Sequence, residues 1–199
     1  MYKRQLLERH LRLEPEQGSV AFVGAGPGDP ELLTLKARRL IHEAEVIIYD
    51  RLVGKGVLEL ARREAKFINV GKKGFGAHVT QDVINEHLVR EAQAGLKVVR
   101  LKGGDPSVFG RLDEELAALS EYGIESSVVP GITSASAGAA SLKQSLTRRD
   151  RNSSITFMTA HDAKGYAEHD WRQLVRSGQA LAIYMAVSYT HLTLPTKSS

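Results

Sequence analysis

The chain alternates short apolar runs with longer segments in which apolar residues recur every three or four positions. The runs are rich in β-branched residues and show little polar alternation, which is typical of strands buried on both faces of a parallel sheet. Five runs fall in the first two thirds of the chain, at residues 20–23, 46–49, 67–70, 98–101 and 127–129. With the helical segments between them, they predict an α/β layered domain.

Three of the intervening segments carry apolar stripes at helical spacing and are predicted helices. Glycine follows the second and third stripes, at Gly95 and Gly123, and glycine ends helices because it adopts the left-handed conformation without strain. The stripes consist of Leu33, Ala37, Leu40, Ile41 and Ala44; of Ile84, Leu88 and Ala92; and of Leu112, Leu116 and Leu119.

The pattern breaks at Pro130-Gly131, where a second domain is expected to begin. A segment of small residues follows, and then two further strand-like runs at Ile155–Thr159 and 181–184. We therefore expect an N-terminal α/β domain over residues 18–129 and the start of a C-terminal α/β domain over residues 130–186. Two strands cannot bury a full core, so we expect native sequence to be missing after residue 186.

The two ends of the chain differ from the rest in character. Residues 1–5 and 187–199 resemble translated adapter DNA from sequencing libraries, and we expect them to be foreign to the protein, whereas residues 6–17 are expected to form a linker. The two tails hold three of the 27 Lys and Arg residues and none of the 23 acidic ones. Without them 24 bases face 23 acids, a net charge of +1, and we expect no nucleic-acid partner.

Composition limits the kinds of covalent and metal sites that the protein can have and indicates its cellular compartment. The chain has no cysteine, which excludes disulfides and thiolate metal sites, and we expect no bound metal. No apolar run is long enough to cross a bilayer and no signal peptide opens the chain, so a cytoplasmic protein without a membrane partner is expected.

Two glycine-rich turns directly follow predicted strands and share the triplet Gly-Asp-Pro, at residues 28–30 and 104–106. Glycine lets a ligand approach the backbone closely. Loops after parallel strands emerge at one edge of the sheet, where ligands bind in open α/β folds. Either turn alone is an ordinary strand–helix connection, whereas two at one edge indicate a site built from backbone groups.

A dinucleotide site is the first alternative, with Gly24 and Gly26 as the fingerprint and Asp50 on the ribose, as in a nicotinamide-dependent oxidoreductase. It fits poorly, because Asp29 stands where the third glycine belongs. Pro27 also removes a backbone donor from the loop that should hold the pyrophosphate.

Further motifs lie at the ends of the other predicted strands. Taken together, the motifs resemble the tetrapyrrole methyltransferase family, specifically its uroporphyrinogen-III C-methyltransferase branch, over residues 18–186. They are Val23–Asp29, Tyr49–Val53, Gly71–Lys73, Val99–Pro106, Phe109–Arg111 and Val129–Thr133.

The resemblance implies a fold of two α/β domains with a cofactor cleft between them, the second incomplete here. It implies two methyl transfers from S-adenosyl-L-methionine to pyrrole carbons of uroporphyrinogen III, giving precorrin-2 for sirohaem or cobalamin synthesis. It also implies a homodimer, and in some members a fused precorrin-2 dehydrogenase/ferrochelatase module. Because part of the pocket is expected beyond residue 186, we expect this chain to bind cofactor weakly or not at all, whereas the intact parent enzyme should be active.

The resemblance also assigns roles by position. Asp50 falls on the proton acceptor and Lys72 on the proton donor. Arginine and lysine are suited to the substrate's carboxylates, and the candidates are Arg51, Lys73, Arg111, Arg148 and Arg149. The cofactor positions are Pro27, Gly103, Gly104, Asp105, Val108, Thr133, Ser134 and Met185.

Some residues depart from the family pattern. Thr147-Arg148-Arg149 stands where Thr-His-Arg is frequent, so the substrate rim is expected to differ. A methyltransferase of the same fold acting on another precorrin or on RNA stays open, as does a non-enzymatic dimerisation or interaction fragment.

Overall fold

The structure is a computed structural model that describes residues 17–71, 79–162, 165, 166, 169, 174 and 178–186. The chain divides into two compact units between Ser134 and Ala135. Each unit is described by itself below.

The first unit is built on a five-stranded parallel sheet. Its strands are β1 (Ser19–Gly24), β2 (Val46–Tyr49), β3 (Lys66–Asn69), β4 (Lys97–Lys102) and β5 (Glu125–Val129). They lie in the order β3-β2-β4-β1-β5, and all four neighbouring pairs are parallel. All five predicted strands and the predicted α/β layering are confirmed.

Helices cover both faces of this sheet. They are α1 (Leu35–Glu43), α2 (Lys55–Leu58), α3 (Gln81–Gln93) and α4 (Leu112–Glu121). A fifth helix, α5 (Ser134–Ser141), begins at the last residue of the first unit, and its other residues belong to the second unit. Side chains of α1 and α2 pack with one core cluster, and those of α3 and α4 with the other. The predicted stripes supply these contacts, since Ile41, Leu88 and Leu119 are fully buried.

The first helix starts later than its apolar pattern indicates. Asp29 caps a single 3-10 turn, Pro30–Leu32, through a hydrogen bond from the Glu31 N–H. The α-helix begins only at Leu35, where the Thr34 hydroxyl accepts from the Ala37 N–H. A second capping residue was not anticipated, and it moves the helix start five residues away from the glycine loop.

The two edge strands are less buried than their composition predicts. In β5 only Val129 is buried, and in β3 Phe67 is 43% exposed. Within the described part of the chain, each of these strands pairs with a single neighbour. The central strand β4 has neighbours on both sides, and five of its six residues are buried.

In the second unit β6 (Ile155–Thr159) and β9 (Ala180–Tyr184) form the predicted pair of strands, in parallel register. The two-residue strands β7 (His161–Asp162) and β8 (Gly165–Tyr166) pair antiparallel. Within the described ranges of both units, no helix combines the length and apolar character needed to span a membrane.

Candidate functional site

The carboxyl ends of the five strands place their loops side by side along one edge of the sheet. We call this edge the carboxyl rim: residues 24–30 after β1, 50–54 after β2, 70–71 after β3, 103–110 after β4 and 130–133 after β5. Because the sheet order is β3-β2-β4-β1-β5, the loops after β4 and β5 flank the loop after β1. The sequence prediction that both Gly-Asp-Pro turns share one edge is confirmed.

Four glycines bring the loops after β1, β4 and β5 into backbone contact. A Cβ on Gly24 would lie 2.5 Å from the Gly131 nitrogen, and a Cβ on Gly131 would overlap the carbonyl oxygen of Gly104. Gly26 and Gly104 exchange backbone hydrogen bonds of 3.1 and 2.8 Å. Any side chain at Gly24 or Gly131 would therefore push the loops apart.

The loop after β2 joins the same surface. A Cβ on Gly103 would lie 2.7 Å from the Leu52 Cβ, and a Cβ on Gly54 would lie 2.7 Å from the carbonyl oxygen of Gly28. Pro27, Asp50 and the segment 103–105 therefore belong to one continuous rim, as the sequence predicts.

The Asp105 carboxylate connects two of these loops. Its Oδ1 accepts from the Ser107 N–H at 2.8 Å, and its Oδ2 accepts from the Gly131 N–H at 3.0 Å. The Val108 N–H donates to the Asp105 carbonyl at 3.2 Å, which closes the turn. Thr133 lies beside Gly104, with its Cα 3.9 Å from where a Gly104 Cβ would stand.

Asp50 lies at the end of β2 and faces a buried arginine. Its Oδ1 accepts from the Leu52 N–H at 2.9 Å, and its Oδ2 lies 3.8 Å from the Arg100 guanidinium. The Asp50 side chain is 26% exposed and that of Arg100 only 5%. The proposed proton acceptor is therefore open to the rim on one side and backed by a buried positive charge on the other.

Arg100 belongs to a buried ionic network beneath the rim. The Glu115 carboxylate from α4 accepts from Arg100 Nε at 3.2 Å and from Lys102 Nζ at 2.7 Å. The Gln81 amide from α3 donates to the same carboxylate at 3.2 Å. Burial, reinforced by the Arg100 charge, lowers the pKa of Lys102, although Glu115 opposes the shift.

This network was not predicted. Arg100 and Lys102 stand two positions apart in the buried part of β4, where the other residues are apolar, so both point to the same buried face. Glu115 lies on the inward side of α4 between Leu112 and Leu119. Two basic residues on the buried face of a strand and one acidic residue on the inward side of a helix are the sequence signal from which this network could have been predicted.

The remaining first-unit candidates have other surroundings. Arg51 is exposed, and its Cγ would lie 2.5 Å from a Cβ on Gly71, which places the loops after β2 and β3 together. Arg111 forms a bidentate pair with Glu114 at 2.7 and 2.5 Å, and these hydrogen bonds raise the Arg111 pKa. Ser134 is the first residue of α5, and Lys72 and Lys73 lie outside the described residues.

Three candidates belong to the second unit. Met185 follows β9 with a positive φ of 56° and is 51% exposed. The Arg148 N–H donates to the Asn152 carbonyl at 3.0 Å in a tight exposed loop, and Arg149 is exposed beside it. Their assignment to cofactor or substrate stays a prediction.

Comparison with known proteins identifies the family. Residues 19–195 match the family described as Tetrapyrrole (Corrin/Porphyrin) Methylases. The siroheme synthase of Chromobacterium violaceum is 50% identical over 171 residues, and siroheme synthase 2 of Aeromonas hydrophila is 53% identical over 172. These alignments cover 86% of this chain but only 36% and 37% of those proteins, so the chain spans little more than a third of their length.

Solved structures give the same result. The uroporphyrin-III C-methyl transferase of Thermus thermophilus, complexed with S-adenyl homocysteine, is 43% identical with a TM-score of 0.71. The match covers 86% of this chain and 72% of that one. A cobalt precorrin-4 methyltransferase is 26% identical with a TM-score of 0.74, over 84% of this chain and 69% of that one. By sequence and by fold, this chain belongs to the tetrapyrrole methylases.

Proposed function

We propose that the chain carries the methyltransferase activity that methylates uroporphyrinogen III at two pyrrole carbons to give precorrin-2, with S-adenosyl-L-methionine as the methyl donor. The observation that carries the proposal is the glycine-lined carboxyl rim, which adjoins Asp50 and occurs in a chain 43% identical to a uroporphyrin-III C-methyl transferase. Products of this class feed siroheme and cobalamin synthesis, and the siroheme synthase relatives support that setting.

The carboxyl rim fits a small ligand that is bound through peptide groups. A Cβ on Gly28 would meet nothing within 4 Å, and one on Gly104 only the Thr133 Cα. Both glycines have positive φ, a conformation that other residues rarely adopt, and the space that a side chain would fill at each of them is left open to a ligand. Pro27, Gly103, Gly104, Asp105, Val108, Thr133 and Ser134 are the first-unit residues proposed to hold S-adenosyl-L-methionine.

The chemistry of the reaction sets the roles of the side chains. S-adenosyl-L-methionine, when bound, supplies an electrophilic methyl group on its sulfonium. The chain has to orient the substrate carbon in line and to remove a proton as the ring redistributes its electrons. Asp50 is the proposed acceptor of that proton, with Arg100 holding its carboxylate at the rim, and Lys72 is the proposed donor.

The substrate carries many carboxylates, and Arg51 on the rim is proposed to bind one of them. Arg51→Ala should weaken uroporphyrinogen binding at least about tenfold while cofactor affinity changes less than about twofold, since a charge-assisted hydrogen bond contributes roughly 1.5–3 kcal/mol. Binding constants for both ligands on one variant measure the difference. Arg63→Ala is the control, because Arg63 is exposed in the segment that leads into β3, at the edge of the sheet opposite the rim. Lys73, Arg111, Arg148 and Arg149 are the other proposed substrate contacts.

The decisive test of the proposed function uses ligand-induced shifts in the NMR spectrum of the labelled chain. S-adenosyl-homocysteine at millimolar concentration should perturb the amides of residues 24–30 and 103–108, whereas NAD should leave them unchanged. The same rim responding to NAD alone would replace the proposal with an oxidoreductase.

Three further properties belong to the same proposal. The relatives' greater length is consistent with a dehydrogenase/ferrochelatase module fused to this one in the parent protein. We expect a cytoplasmic homodimer without a nucleic-acid partner. Light scattering after size exclusion should give twice the chain mass of 21.8 kDa.

A further inference from the structure

The two Gly-Asp-Pro turns of the carboxyl rim look alike in sequence but differ in what their aspartates bind. Asp29 caps its own turn, accepting from the Glu31 N–H at 2.9 Å. Asp105 makes the equivalent local bond to the Ser107 N–H at 2.8 Å and adds a bond to the Gly131 N–H at 3.0 Å, 26 residues further along the chain. Among the described contacts of Asp29 there is no such bond to another loop.

The cross-loop bond falls where the loops are packed most tightly. Gly131 touches Gly104 and Gly24 so closely that neither Gly24 nor Gly131 can carry a side chain. Gly104, next to Asp105 in the chain, is tied to Gly26 by two backbone hydrogen bonds. The Gly131 N–H is the first donor after Pro130, which has none of its own, so this bond is the earliest point at which a backbone N–H of the loop after β5 binds the loop after β4.

We infer that Asp105 is a positioning residue. Its carboxylate acts as a clamp that fixes the loop after β5 against the loop after β4, and so sets the width of the slot between these loops in which the cofactor would bind. Its two carboxylate oxygens are directed at backbone N–H groups of the protein. The contribution of its side chain to cofactor binding is therefore indirect, through the positions of the Gly104 and Thr133 peptide groups, whereas its backbone stays among the proposed cofactor contacts. The ligand part of this inference rests on the proposed function, whereas the clamp itself does not.

The geometry predicts that replacing Asp105 by asparagine breaks the bond to the Gly131 N–H. A carboxylate accepts on both oxygens, but an asparagine side chain has one oxygen and one NH₂ group. In Asp105→Asn the oxygen retains the local bond to Ser107, and the NH₂ group then faces the Gly131 N–H, donor against donor. In Asp29→Asn the single local bond is retained and nothing opposes the amide.

The test compares Asp105→Asn with its matched control, Asp29→Asn. Amide hydrogen exchange of Gly131 in the ligand-free chain should be at least about tenfold faster in Asp105→Asn than in the wild type, and unchanged in Asp29→Asn. The dissociation constant for S-adenosyl-homocysteine, taken from NMR titration, should rise at least about fivefold in Asp105→Asn relative to the control. If Asp105→Asn does not fold, Asp105→Ser replaces it, because serine retains the local turn but is too short to reach Gly131.

Each outcome has a distinct meaning. Unchanged Gly131 exchange in the Asp105 variants overturns the clamp, whatever the ligand does. If Gly131 exchanges faster in Asp105→Asn but this variant binds S-adenosyl-homocysteine as tightly as Asp29→Asn does, the clamp does not set the width of the slot. The ligand is then held by direct contacts elsewhere on the rim. A wild-type rim that responds to NAD and not to S-adenosyl-homocysteine overturns the proposed function and the ligand part, while Gly131 exchange still decides the clamp.

Discussion

At the scale of single residues, Glu115 is the most deeply buried acidic residue described in the first unit. Its side chain is 1% exposed and its two oxygens bind two buried cations, Arg100 and Lys102. Removing one member of a buried ionic group leaves the partners' charges uncompensated, which is far more destabilising than the loss of an exposed pair. Stability and the placement of Asp50 therefore depend on the same carboxylate.

Glu115→Gln should lower the free energy of unfolding by about 3–5 kcal/mol, because both cations stay buried without their counter-charge. Urea unfolding followed by circular dichroism measures the change. The adjacent Glu114→Gln is the control: it removes a carboxylate of equal size whose pair with Arg111 is exposed, and it should change stability by less than about 1 kcal/mol. Equal effects of the two substitutions would contradict a central role for the network.

Glu91 predicts how stability responds to acid. Its burial alone would raise the pKa, but hydrogen bonds from Lys66 and Arg90 outweigh that effect and lower the pKa below its ordinary value of 4.5. A carboxyl whose pKa is lower in the folded state stabilises the fold above about pH 4.5, and this contribution is lost as the pH falls through the folded value. The unfolding free energy of the wild type should therefore decline more steeply below about pH 4.5 than that of Glu91→Gln. Parallel curves down to pH 3 would show that Glu91 does not contribute.

At the scale of elements, the rim loops are shaped by the glycines where they cross. Gly131→Ala should lower the unfolding free energy by about 1–3 kcal/mol and impair S-adenosyl-homocysteine binding, because the added methyl group overlaps the Gly104 carbonyl. Gly138 in α5 is the matched control, since a Cβ there would meet nothing within 4 Å. Gly138→Ala should raise stability by about 0.5–1 kcal/mol, as expected for glycine replaced inside a helix. The opposite order of the two variants in a thermal melt would contradict the tight crossing.

The strands β1 to β6 and β9, the helices α1, α3 and α4 and the glycine turns were predictable from the sequence because each is encoded locally. The four-residue helix α2 and the two-residue strands β7 and β8 are too short to show a pattern. Buried strands show β-branched runs, helices show a periodic stripe, and the Gly-Asp-Pro triplets mark their own turns. The Thr34 cap was missed because Asp29 and Thr34 are both capping acceptors, and the sequence does not show which of them begins the α-helix. The Asp105–Gly131 bond was not predictable, because it joins residues 26 positions apart that only folding brings together. The Arg100–Glu115–Lys102 network left a signal, but pairing it required knowing that α4 packs on the β4 face that carries both cations.

At the scale of the whole molecule, the first unit is organised around β4. This strand pairs with β1 and β2, whereas β5 pairs with β1 alone and exposes four of its five residues. Local opening is easiest where few buried contacts and few neighbours hold an element. The order of the sheet therefore indicates a gradient of stability from β4 outwards.

Amide hydrogen exchange should reveal that gradient. The slowest amides of the first unit should lie in β4 and β1, with protection near the global free energy of unfolding, and those of β5 should exchange at least about tenfold faster. NMR exchange rates on the labelled chain provide the measurement, with β3, the opposite edge strand, as the internal comparison. Uniform protection across β4, β1 and β5 would show that the unit opens only as a whole.

The burial of Glu115 also separates two classes of electrostatic contact by their response to ionic strength. Counterions screen charges over about 8 Å at physiological salt and about 3 Å at 1 M. The exposed Arg111–Glu114 pair lies within their reach, whereas the Glu115 cluster, sealed under the rim, excludes them. Concentrated salt should therefore weaken the surface pairs while Arg100 continues to hold Asp50 in place.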